Sequence, residues 1–136
     1  MDATYKTQAT AIGGREGKVR TEDGLLDFEV RLPKELGGKG GEYTNPEQLF
    51  AAGYSACFGS ALNFVAGQKK IRIVDAKVTV NAGIKVSEGF DLVVAIDVEI
   101  PGVDKDVAKE MVEIAHTVCP YSKAIKGNVD VTLNVI

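Results

Sequence analysis

Tryptophan is absent from this 136-residue chain, histidine occurs once, at position 116, and cysteine twice, at positions 57 and 119. A closed structural zinc centre takes four Cys/His ligands and only three are available, so no metal is expected. A disulfide-stapled secreted scaffold carries more cysteines in a shorter chain. Positive charge is also short. Sixteen Lys/Arg against nineteen Asp/Glu leave a net charge of −3 and a pI near 5.2. Nucleic-acid binders present a basic face, so no nucleic-acid partner is expected. The opening residues Met1-Asp2-Ala3-Thr4-Tyr5-Lys6 contain no basic stretch leading into an apolar run. The long apolar segment 49–67 is alanine-rich and broken by Gly53, Ser55, Gly59, Ser60 and Asn63, which suits a buried helix better than a membrane span. The expectation is a chain with no membrane partner in a reducing cytoplasm, where any redox chemistry rests on two sulfurs.

What is present reads as globular. Hydrophobic residues make up 45% and charged residues 26%, and the length suits a single domain over 1–136 with a real core. Residues 5–12 read as a strand, broken by Gly13-Gly14. Arg15 opens a second extended run to about Thr21, and Asp23-Gly24 signals a turn. Residues 26–32 alternate apolar and charged as a half-buried strand does, Pro33 ends them, and glycine-rich 34–44 reads as a flexible loop. Asn45-Pro46-Glu47 is a helix start: cap, first-turn proline, first-turn acid. The helix should run to Gly67, about 33 Å. It is apolar nearly all round, and so small a domain can hardly cover it alone, which argues for a dimer. Segments 74–86 and 90–100 read as a hairpin through Ser87-Glu88-Gly89. Asp104 caps a second helix with Val107, Met111, Ile114, Ala115 and Val118 on one face, ending at Cys119-Pro120, and 128–136 forms the last strand. The pattern is α+β, with antiparallel sheets around two buried helices.

Cys57 lies within the apolar helix, where a free cysteine is usually a small core residue. A reactive Cys57 needs thiolate character, and no basic neighbour in sequence supplies it, so a cation must come from elsewhere in the fold. Cys119-Pro120-Tyr121-Ser122 resembles a glutaredoxin site whose last cysteine has become serine. There, however, the cysteine opens a helix, whereas here it closes one, where the dipole opposes thiolate. Cys119 is thus a poor attacking thiol and a plausible resolving one, or an inert helix end. His116 and Cys119 make a thin His-x-x-Cys ligand set, and His116 receives no role. Neither glycine-rich run has the Lys-Ser/Thr of a phosphate loop or the strand-to-helix spacing of a dinucleotide site. Gly13-Gly14 does place Arg15 at a bend from which its side chain can project.

Several segments then agree. The run from Asn45-Pro46-Glu47-Gln48-Leu49-Phe50 through Gly53-Tyr54-Ser55-Ala56-Cys57-Phe58 resembles the peroxidatic motif of the organic hydroperoxide resistance branch of the Ohr/OsmC family. Val118-Cys119-Pro120-Tyr121-Ser122 with Gly127-Asn128 resembles its second-cysteine motif, and Gly13-Gly14-Arg15-Glu16-Gly17 its arginine turn. The resemblance covers essentially the whole chain. Lys123-Ala124-Ile125-Lys126 departs from the more usual Asn-Ala-Thr-Arg, at positions that carry no transferred role. The resemblance implies an OsmC-like fold in an intertwined homodimer with two sites. It implies a peroxidatic Cys57, a resolving Cys119, and an activating pair Arg15 and Glu47. It also implies reduction of organic hydroperoxides to alcohols, with no bound cofactor and with a dihydrolipoyl dithiol, from a lipoylated protein or another dithiol donor, as external reductant. Leu49, Phe50 and Phe58 could line an alkyl-peroxide pocket or simply form core.

Helix geometry adds one inference. Glu47 and Cys57 are ten residues apart, about 15 Å along the axis and roughly 80° around it, so one arginine head cannot touch both on a straight helix. Either the helix breaks near Gly53 or the two groups of one site come from different protomers; the second is preferred. A non-enzymatic redox sensor or thiol carrier, and a small binding protein with Cys57 as core, remain the competing readings.

Overall fold

The computed structural model describes residues 1–136 as two compact units, Met1–Leu49 and Phe50–Ile136. The first is built on an antiparallel three-stranded meander, β1 (Ala9–Ile12), β2 (Gly17–Thr21) and β3 (Asp27–Val30). The Asp23-Gly24 turn forms as expected. Asp23 Oδ1 accepts from the Thr21 hydroxyl at 2.7 Å and the Leu25 N–H at 3.0 Å, and Gly24 has φ of 73°. Two expectations shift. The first strand spans only Ala9–Ile12, with Ala9 opposite Thr21 at the end of β2. Arg15 does not open an extended run: residues Gly14–Glu16 form one 3-10 turn. Segment 34–44 likewise includes a 3-10 turn at Lys34–Leu36.

The long helix α1 (Pro46–Gln68) begins in this unit. Asn45 Oδ1 accepts the Gln48 N–H at 2.9 Å, the capping bond its sequence predicted. Just before it, Thr44 O accepts the Arg31 N–H at 3.1 Å, tying the helix start to the end of β3.

In the second unit β4 (Lys77–Val86) and β5 (Phe90–Glu99) form the expected antiparallel hairpin, with Val86 opposite Phe90. β6 (Val131–Val135) then joins β5 in parallel, so this sheet is mixed rather than wholly antiparallel. The reason is connectivity. A helical crossover separates β5 from β6 and returns the chain in the same direction, which no hairpin can do. That crossover holds α2 (Lys105–Val118), capped by Asp104 accepting the Asp106 N–H at 2.9 Å, and a short α3 (Pro120–Ile125) that the sequence reading did not anticipate. Pro120 stops α2 and also serves as the first residue of α3, since its fixed φ suits a helix start.

One hydrophobic cluster unites Val80, Val94, Ile96 and Val98 of the sheet, Tyr54, Phe58, Leu62 and Val65 of α1, and Met111, Val112 and Ala115 of α2. The buried face of α2 centres on Ala108, Met111, Val112 and Ala115, with Val107, Ile114 and Val118 at its margins. Helix α1 is long and apolar enough by length and composition to cross a membrane. Here six of its side chains enter the core, while Phe64 remains 55% exposed. Phe58 is fully buried. Phe58→Ala should therefore lower stability by about 3–5 kcal/mol, read from the midpoint of urea unfolding.

Candidate functional site

The predicted polar pair forms within the first unit. Arg15 Nη1 donates to Glu47 Oε2 at 2.7 Å and Nη2 to Oε1 at 2.6 Å, a two-pronged clamp. The turn that presents Arg15 depends on glycine. Gly13 caps it at φ of 80°, and a Cβ on Gly17 would lie 1.8 Å from Ile12 O. A residue missed from sequence braces it from behind. Arg31 Nη1 donates to Gly17 O at 2.9 Å and to Val30 O at 2.7 Å, and its guanidinium lies 4.8 Å over the Tyr43 ring. Glu16 Oε1 also accepts the Leu32 N–H at 3.2 Å. Only the fold brings 15–17 against 30–32, so no local signal marked Arg31.

The hydrogen bonds from Arg15 hold the Glu47 carboxyl below the usual carboxylate range, burial opposing. The bond to Glu47 raises Arg15 in turn. Because the folded carboxyl titrates below its unfolded value, the pair's stabilisation is present above the ordinary Glu range and fades as pH falls through the depressed value. With Arg15 39% exposed, it contributes about 1 kcal/mol or less. The stability difference between wild type and Glu47→Gln should thus be flat from neutrality down to about pH 5 and shrink below it, as thermal unfolding across pH would show.

The second unit brings the two thiols together. Cys57 comes from the middle of α1 and Cys119 from the α2–α3 junction. The Cys119 thiol donates to Cys57 Sγ at 3.6 Å, and both cysteines are free. A disulfide needs about 2.05 Å, so a shift of about 1.5 Å would join them. Cys57 is partly exposed and Cys119 fully buried. Burial pushes the Cys57 thiol up. The Tyr121 backbone N–H, in the first turn of α3, opposes this, and the neighbouring Cys119 sulfur adds to it; no cation is among the causes. The view that Cys119 merely closes a helix is corrected: it ends α2 and also caps the start of α3. The dipole argument for its low reactivity therefore fails, and its complete burial is what separates it from Cys57.

Around the pair, Phe50 meets Tyr54 edge-on at 5.6 Å and lies 6.5 Å from Tyr121. Phe58 belongs to the core, and Leu49 is half-buried at the end of the first unit. Sequence reasoning gave no part to Ser122 or His116, yet both lie here. Ser122 Oγ is 2.6 Å from the Tyr54 hydroxyl and 2.9 Å from His116 Nδ1. Helix α1 runs unbroken through Gly53, so the helix break proposed as one way to join Glu47 and Cys57 does not occur.

Two three-stranded sheets, a long apolar helix and two facing free thiols define a two-cysteine protein of OsmC-like architecture. A family model described as OsmC-like protein matches residues 38–134. The organic hydroperoxide resistance protein of Xanthomonas axonopodis pv. citri is 46% identical over 134 residues, covering 96% of this chain and 94% of the relative. Among solved structures, an organic hydroperoxide resistance protein from Legionella pneumophila shares 50% identity at a TM-score of 0.92, with 98% of each chain covered. OhrB of Bacillus subtilis shares 42% at a TM-score of 0.90, covering 98% of this chain and 100% of that one. The chain belongs to the OsmC-like family, in its organic hydroperoxide resistance branch.

Proposed function

We propose that this protein is a cytoplasmic thiol peroxidase that detoxifies organic hydroperoxides, working as an intertwined homodimer without a bound cofactor. The observation that carries the reading is the 3.6 Å approach of an accessible thiol and a buried one. The names of its relatives supply the substrate class.

The Cys57 thiolate attacks the terminal oxygen of ROOH, the O–O bond breaks, and the alkoxide takes a proton to leave as ROH. Cys57 is left as a sulfenic acid. The Cys119 sulfur then bonds to the Cys57 sulfur, and the hydroxyl departs with the Cys119 proton as water. A dihydrolipoyl dithiol, delivered by a lipoylated protein or another donor, reopens the bridge by exchange and is itself oxidised to its cyclic disulfide. Burial holds Cys57 above the usual thiol range, so the first step needs a cation. Arg15, already aligned by Glu47, is the candidate. Since α1 separates Glu47 from Cys57 by about 15 Å along its axis, the Arg15–Glu47 pair serves the Cys57 of a second copy. The phenyl ring of Phe50 is suited to an alkyl chain.

Cys119→Ser tests the resolving step. Peroxide attack should proceed at about the wild-type rate. Mass spectrometry should then find Cys57 carried to sulfinic acid at peroxide ratios that leave the wild type as a disulfide. Sustained turnover of the variant with a dithiol, without over-oxidation, would remove Cys119 from the mechanism.

A further inference from the structure

The peroxidase scheme uses two sulfurs and an arginine, and leaves a polar chain close to the sulfurs unexplained. The Tyr54 hydroxyl, Ser122 Oγ and His116 Nδ1 form a line with separations of 2.6 and 2.9 Å. Tyr54 and Ser122 are buried, and His116 is half-buried.

The direction of the chain follows from its donors. Burial pushes the Tyr54 phenol up, so it stays protonated and has a proton to donate. Ser122 Oγ is the hydrogen-bond partner of that hydroxyl. If Tyr54 donates to Ser122, the serine proton is free for His116 Nδ1. That nitrogen accepts when the imidazole is neutral with its proton on Nε2. Burial, and then the charge of Lys126, lower the His116 pKa and favour this neutral form. Every donor then has one acceptor: Tyr54 to Ser122 to His116.

The placement matters more than the bonds. Tyr54 precedes Cys57 by three residues on α1, one turn away on the same face. His116 precedes Cys119 by three residues on α2, and Ser122 follows it by three on α3. Cys119 itself is extended, with φ of −58° and ψ of 122°, so it is the joint between two helices. The polar chain therefore runs one turn from the sulfur pair and spans the same gap. It pins both arms of the Cys119 joint to the helix carrying Cys57.

We infer that Tyr54, Ser122 and His116 are positioning residues for disulfide closure, holding the Cys119 sulfur within reach of Cys57. They do not touch peroxide and carry no proton in the scheme. This rests on the peroxidase reading for its biological meaning, but closure can be measured without peroxide.

The test uses two oxidants on the reduced full-length protein. Dithiodipyridine first meets the more exposed Cys57, giving the mixed disulfide and one thiopyridone. Cys119 then attacks the Cys57 sulfur, forming the protein disulfide and expelling a second thiopyridone. With an alkyl hydroperoxide, sulfenic acid formation and disulfide closure separate as a peroxide-dependent and a peroxide-independent phase. The closing phase of Ser122→Ala and of Tyr54→Phe should slow about tenfold with both oxidants, because small misplacements of reacting atoms are costly. The first phase should stay within about twofold of wild type. His116→Ala should slow closure likewise. His116→Asn, whose amide can accept near the Nδ1 position, should restore most of it, which loss of packing alone would not allow. Circular dichroism confirms folding, and Tyr54→Phe, which keeps the ring, covers a failure of Ser122→Ala to fold. Closure within about twofold of wild type in both folded variants, or no rescue by His116→Asn, would overturn the inference. If the wild type ignores peroxide yet closure with dithiodipyridine still depends on Ser122, the positioning role stands and the peroxidase reading falls.

Discussion

Cys57→Ser should abolish organic hydroperoxide consumption, with a loss on the order of 10⁵-fold or more, the scale seen when an enzyme loses its nucleophile. The serine is nearly isosteric, and Cys57 is only partly buried, so the fold should survive. A hydroxyl at this position titrates far above neutrality and is a poor nucleophile toward peroxide oxygen. Stopped-flow mixing with an alkyl hydroperoxide should show no rapid phase, with one equivalent of thiol pair consumed in the wild type. The same experiment separates the alternatives. If neither protein consumes peroxide, Cys57 is a core residue of a binding protein. If the wild type reacts once and no dithiol regenerates it, the pair is a sensor rather than a catalyst. Consumption by Cys57→Ser within about tenfold of wild type would exclude Cys57 as nucleophile.

Arg15→Ala should slow the peroxide step by about 10²–10³-fold, the loss typical of removing a preorganised charge from a developing anion. The effect falls on the first step. With Arg15 gone, only the Tyr121 backbone N–H would oppose the burial that raises the Cys57 thiol. Glu47→Gln should cost less, since it removes the group that aims the guanidinium and leaves the cation in place. The arrangement between copies has its own test. Arg15→Ala and Cys57→Ser chains, each inactive alone, are co-expressed. If one protomer's Arg15 serves its partner's Cys57, each mixed dimer contains one intact site. Random pairing should then recover about a quarter of wild-type activity. If both residues of a site belong to one chain, mixing recovers nothing. Arg15→Ala with wild-type peroxide kinetics would remove the arginine from the mechanism.

Much of this protein was legible from its residues because the signals are local. The Asn45-Pro46 cap, the Asp23-Gly24 turn, the Ser87-Glu88-Gly89 hairpin and the Asp104 cap each act over two or three neighbours, and the structure forms all four. The scarcity of histidine and cysteine restricted the chemistry to two sulfurs before any fold was known. The family motifs, carried by runs around Arg15, Cys57 and Cys119, belong to the same local information. Pro120 shows where such reading stops short. A proline after an apolar helix reads as a terminator, and only the chain beyond it revealed that it also begins α3.

Tertiary structure decided what depends on distant segments meeting. The parallel pairing of β6 with β5 follows from the route of a crossover, on which strand composition is silent. Arg31 gained a task because β3 runs beside the Arg15 turn, fourteen residues away from the carbonyl it supports. The sulfurs lie 62 residues apart in sequence and 3.6 Å apart in space. His116 had no local partner that could mark it, and only the packing of three helices brings it, through Ser122, to Tyr54. By itself the sequence narrowed the sulfur candidates to Cys57 and Cys119. Which of them face one another, and which is shielded from solvent, was decided by long-range burial, because proximity across 62 residues has no signature in local spacing.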